Sequence, residues 1–222
     1  MNRLSIAVLC PLLSILVLCL PGCTLFGLLA GKVVPAPTIQ PKYTGLKDQT
    51  VAIMVWAGDG TLIDFPDVRL DIAGGLQTKL QQAKDVKTKS LAGITFPVTT
   101  ASVVRYQENH PENEVKPLTE IAPKLKTSRV IYVELENLQT RSNASVELYR
   151  GSASATLKVV EVPPGGGPGT IAYEESGIEA IFPPKSREEG TPSGNDFVIY
   201  RGTVDALTTE IAKRFVPYQE EQ

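Results

Sequence analysis

The chain has 222 residues, with 22 lysines and arginines against 24 aspartates and glutamates, and its basic residues form no block of the kind that grips nucleic acid. A single histidine, His110, excludes most histidine-based metal and acid–base chemistry. Two of the three cysteines, Cys10 and Cys19, lie in the apolar N-terminal run, so past that run only Cys23 remains, too few for a disulfide or a cysteine metal site.

Arg3 is the only charge before Cys23, and Ile6 to Leu20 is apolar apart from Pro11 and Ser14. That run fits the core of a signal peptide and is short of the roughly 20 residues of a membrane span. It closes on Leu20-Pro21-Gly22-Cys23. This stretch resembles the lipobox of bacterial lipoproteins. The resemblance implies cleavage after Gly22, acylation of Cys23, and attachment to a membrane through that lipid. Thr24 stands where an aspartate would signal inner-membrane retention, so by the same resemblance the outer membrane is favoured and the protein faces the periplasm.

Residues 23–49 read as a lipidated N-terminus and a tether. Leu25, Phe26, Leu28 and Leu29 form an apolar patch, and Pro35, Pro37 and Pro41 favour an extended backbone. A single domain is expected over residues 50–217, followed by an acidic tail at 218–222.

Val51 to Trp56 is a continuous apolar run, as in a strand buried on both faces. Ala57 to Thr61 supplies turn residues. A helix is expected from about Pro66, with Ile72, Leu76, Leu80 and Ala83 on its buried face. Ile94–Val98 and Ser102–Tyr106 are weaker strand candidates. Gln107 to Lys116 reads as a polar loop, and Leu118 to Lys126 as a short helix.

Arg129 to Glu136 is a clear strand. Ser145 to Val162 alternates, with Tyr149, Ala153, Ala155, Leu157 and Val159 on one face and Arg150, Ser152, Ser154, Thr156 and Lys158 on the other. The Pro/Gly-rich stretch 163–169 turns the chain back into a strand over Thr170 to Phe182. Pro183 to Asn195 reads as an exposed loop. The last element is a helix, capped by Asn195 or Asp196, with Tyr200, Val204, Leu207, Ile211 and Phe215 along one side. The expected fold is α/β (α+β): one mixed sheet of about five strands, two main helices and one short helix, with an antiparallel C-terminal meander.

No stretch carries a catalytic signature. Gly58-Asp59-Gly60-Thr61 sits where phosphates bind in many α/β folds, but it lacks the glycine spacing and the P-loop lysine, and a tight turn is the simpler reading. Asp64 and Asp67 are expected near a helix start. Glu134 with Glu136, and Glu175 with Glu179, are pairs expected on a solvated strand face. His110 is expected in a surface loop, and Asn143-Ala144-Ser145 is a chance sequon.

Behind a lipobox, this element order resembles a group of envelope lipoprotein domains. The group includes the curli-secretion lipoprotein, the peptidoglycan-synthase activator lipoprotein and the N-terminal domain of the Tol-system propeller protein. Val51–Trp56, the helix after it and Arg129–Glu136 carry the likeness, and no motif is shared that would transfer a functional residue. Ser102–Gln107 and Tyr200–Val204 are also similar to stretches of uncharacterised planctomycete lipoproteins. Together these imply a non-enzymatic protein without a cofactor that binds an unidentified envelope protein. A subunit of an outer-membrane secretion channel is the alternative, and a carbohydrate-active hydrolase a weaker one.

Overall fold

The computed structural model describes residues 37–85, 88–143, 145–184 and 190–219. Its centre is a mixed four-stranded sheet of β2 (Val51–Ala57), β3 (Arg129–Arg141), β4 (Tyr149–Glu161) and β5 (Thr170–Phe182), in that spatial order. β2 and β3 are parallel, from Val51 opposite Arg129 to Ala57 opposite Leu135. The β3–β4 and β4–β5 pairs are antiparallel. A parallel pair needs a long crossover, and here helices supply it. The short strands β1 (Thr38–Ile39) and β6 (Tyr218–Gln219) pair with each other. The mixed sheet and the meander are as the sequence predicts, with four strands in the main sheet.

Alternation along the strands gives the sheet two unlike faces. On one face Val51, Ile53, Val55, Ile131, Val133, Leu157 and Val159 are buried in the main core, which also contains residues of two long helices, α2 (Val68–Asp85) and α5 (Asp196–Ala212). α2 contributes Val68, Ile72, Leu76 and Leu80, and α5 contributes Val204, Leu207 and Ile211. The Asn195 side chain accepts hydrogen bonds from the N–H groups of Phe197 and Val198, which fixes where α5 starts. Gly151 lets α5 lie close on β4, because a Cβ there would meet Thr203 Oγ1.

The other face is covered over part of its length. Ala52, Met54, Val130 and Val160 pack with Val103 of α3 (Thr100–Asn109), with Ile121 of α4 (Leu118–Ile121), and with Ala122 and Leu125 of the 3₁₀ turn that follows.

Four expectations are corrected. Ser102–Tyr106 is helical rather than extended: the Thr99 side chain accepts from the Ser102 N–H and caps α3, and Val103 and Gln107, four residues apart, are its buried positions. Ile94–Val98 forms no strand, only an isolated bridge from Thr95 to Thr50. The expected turn at Gly58–Thr61 opens a short helix, α1 (Asp59–Asp64). The folded body also reaches back before residue 50. Leu46 and Tyr43 are buried, the Tyr43 N–H donates to the Arg214 carbonyl (2.9 Å), and its ring meets Phe215 edge-on. The Tyr43 hydroxyl donates to Glu161, and burial together with that carboxylate pushes its pKa up to about 12.

Candidate functional site

Where the helical cover on the second face of the sheet ends, a cleft of about 370 Å³ remains. Strand register builds its floor. Met54, Tyr132 and Lys158 lie side by side across β2, β3 and β4, and Trp56 and Glu134 form the next row. Tyr106, Gln107 and His110 make one wall. The chain from Asn113 to Ile121 makes the other. Trp56 is the only tryptophan of the protein. A volume of a few hundred Å³, largely apolar with a few convergent polar groups, is typical of a ligand site.

The α3 wall is held by specific bonds. Gln107 is 7% exposed, and its Nε2 donates to the Val55 carbonyl (2.9 Å), taking the place of a neighbouring strand on this part of β2. Its Oε1 is buried and has no partner among the described residues. A buried acceptor left in that state costs about 1–3 kcal/mol. The His110 ring stacks on Tyr106, with centroids 4.5 Å apart. Its Nδ1 lies 2.9 Å from the Tyr106 carbonyl, an arrangement that requires an Nδ1–H donor and leaves Nε2 as an acceptor in the neutral ring. Asn113 Nδ2 donates to the Tyr106 hydroxyl (2.9 Å), and Lys116 donates to Asn113 Oδ1 (2.9 Å), so the rim is tied to the helix.

On the floor, Lys158 lies 3.5 Å from both Glu134 and Glu174. Tyr132 has its hydroxyl pKa pushed up, first by burial and then by the charges of Glu134 and Glu114.

The predicted site residues divide between places. Glu134 lines the cleft, whereas Glu136 is exposed and its Oε1 accepts from Thr156 (2.6 Å). Glu175 and Glu179 do not share a face. A register shift at Gly177, whose φ is +70°, sets Glu175 opposite Leu157 on the core side and Glu179 opposite Ser154 on the other. Asp59, Asp64 and Asp67 are exposed at α1 and just before α2, and Asn143 is exposed. His110 is half-buried in the cleft wall rather than in a surface loop, because α3 continues to its neighbour Asn109. Cys23 lies outside the described residues.

Trp56, Tyr106, Gln107, Tyr132 and Lys158 were not legible as a site. Each reads as an ordinary strand or loop residue until the sheet brings them together. The available signal was the bulky or charged residue on the second face of each strand.

Among the described residues no group of three or more His, Cys, Asp or Glu side chains is placed to hold a metal ion. No helix among them is long and apolar enough to cross a membrane.

No family model and no curated protein matches the chain. Two solved structures of the PelC dodecamer from Paraburkholderia phytofirmans are distantly similar. One, of a single-substitution variant, is 8% identical with a TM-score of 0.40, covering 82% of this chain and 97% of that one. The other is 11% identical with a TM-score of 0.35, covering 82% and 96%. At this level of likeness no residue and no activity carries across.

Proposed function

We propose that the protein is a lipid-anchored envelope lipoprotein that binds a partner protein without catalysing a reaction, and that the cleft beside α3 is where the partner docks. The cleft is the observation that supports this reading. It joins the apolar and aromatic side chains of Met54, Trp56 and Tyr132 to a rim fixed by hydrogen bonds. The lipobox-like stretch ending in Cys23 supports anchoring, preferably to the outer membrane with the domain in the periplasm. Two or three acyl chains suffice for stable anchoring without a spanning helix, since each buried methylene contributes about 0.8 kcal/mol.

Two measurements test the two halves. Wild-type protein should incorporate labelled palmitate and Cys23→Ser should not. Absence of acyl groups from the mature mass would rule out the anchor. In pull-downs from detergent-solubilised membranes, Tyr132→Ala should lose a partner that wild type and Ile63→Ser both retain. Equal capture by all three would remove the cleft from the account.

The second reading is a subunit of an outer-membrane secretion channel. The feature favouring it is the outer edge of β5, thirteen residues long and unpaired among the described residues. Such an edge can accept a strand from another subunit. A ring of defined size in light scattering, with conductance steps in planar bilayers, would promote this reading over the first.

A further inference from the structure

Building on the docking role proposed above, we infer that the cleft accepts a basic side chain of the partner: a guanidinium or ammonium head on an apolar stem.

Three aromatic rings, those of Trp56, Tyr106 and Tyr132, line one cavity. Ring faces attract cations, arginine above all, and the attraction grows as water is excluded. The charges around them favour a positive guest. Glu114 and Glu134 line the cleft, and Glu174 flanks it through Lys158. Two lysines oppose these three carboxylates, and both are already engaged. Lys158 lies between Glu134 and Glu174, and Lys116 donates to Asn113. Glu114 makes no ion pair among the described residues.

Two polar groups of the wall act in the same direction: His110 Nε2 is an acceptor whenever the ring is neutral, and Gln107 Oε1 is a buried carbonyl oxygen without a partner among the described residues. The Tyr132 hydroxyl pKa is pushed up mainly by burial, and after it by the charges of Glu134 and Glu114, so both carboxylates act on the floor. An anionic guest would meet these carboxylates directly. A purely apolar guest would strip them of water without replacing the lost hydrogen bonds. A cation on an apolar stem avoids both costs, with the stem on Met54 and Ile121 and the head among the rings and carboxylates.

Trp56 is a built-in reporter, because no other tryptophan contributes fluorescence. The full-length protein in detergent would be titrated with N-acetyl-arginine amide, its neutral isostere N-acetyl-citrulline amide, and agmatine. The expected result is a saturable change in Trp56 fluorescence with the arginine probe, weakening as salt rises, and at least about tenfold weaker binding of the citrulline probe, which corresponds to about 1.4 kcal/mol. Glu114→Gln, at an exposed position with no ion pair, should weaken the arginine probe several-fold without affecting folding, and Glu134→Gln should do so as well. Equal binding of the arginine and citrulline probes, or no saturable change at millimolar arginine probe, would overturn the inference. Agmatine binding far more tightly than the arginine amide would also overturn it, by assigning the cleft to a free small-molecule dication rather than to the side chain of a partner protein. If these probes fail while Tyr132→Ala still abolishes partner capture, the docking role stands and only its basic anchor falls.

Discussion

At the scale of single residues, Glu175 shows how charge holds the N-terminal segment to the sheet. It accepts from Lys42 Nζ (2.8 Å), from Arg214 Nη2 (2.9 Å) and from the Tyr173 hydroxyl. Partial burial alone would raise its carboxyl pKa, but the bonds from Lys42, Tyr173 and Arg214 outweigh burial and bring it to about 2. Arg214 is the more sheltered cation, whereas Lys42 is largely exposed and contributes little through a screened pair. A carboxyl whose folded pKa lies below its unfolded value stabilises the fold fully above the unfolded value, here 4.5, and loses that contribution as pH falls toward 2. In urea denaturation between pH 7 and pH 2, wild type should therefore lose more stability than Glu175→Gln across that window. At pH 7 the variant should be less stable by roughly 2 kcal/mol, the scale of hydrogen bonds to a charged group. Parallel stability curves for the two proteins would show that the network contributes nothing.

At the scale of elements, what was legible depended on whether a segment's buried positions were apolar. α5 was readable because Val204, Leu207 and Ile211 are buried at helical spacing, a stripe that Phe215 continues just past the end of the helix. β3 and β4 were readable because alternation survives along most of their length. α3 was not. Its β-branched Val103-Val104 pair favours a strand reading, and one of its two buried positions is the polar Gln107, whose place is set by the Val55 carbonyl on a distant strand. The local signal was the Thr99 cap, which only the helix uses. The face change of Glu179 was hidden for a similar reason, since the shift at Gly177 breaks a period of two that nothing in the local sequence interrupts except the glycine itself.

These two helices give contrasting predictions. Leu207→Ala should cost about 2–5 kcal/mol, because it empties a fully buried site, and unchanged denaturation would mean the α5 stripe is not core. Thr99→Ala should cost about 1 kcal/mol and loosen α3 selectively, seen as faster amide exchange at Ser102 and Val103 with β3 unaffected. Uniform loss of protection would show that the cap does not act locally.

At the scale of the whole molecule, the sheet is a slab with unequal faces. One is sealed by α2 and α5, and the other is sealed at Ala52, Val130 and Val160 but left open at Trp56, Tyr132 and Glu134. That inequality leaves an open cleft without a separate domain, and it follows from α3 and the Pro111–Pro117 connection covering only part of the second face. No motif marks it, because the cleft residues come from β2, α3, the connection, α4, β3, β4 and β5. The fold class could be read from the sequence, whereas the site exists only in the assembled sheet.

The most direct test of a docking cleft is site-specific photo-crosslinking in cells. Val115 stands exposed on the cleft rim, between lining residues Glu114 and Lys116, and Ile63 is exposed on α1, which contributes no lining residue. A photoreactive amino acid at residue 115 should yield a discrete protein adduct, lost when Tyr132→Ala is added, and the same group at residue 63 should yield none. An adduct at residue 63 with none at residue 115 would contradict the account and place the partner elsewhere on the molecule.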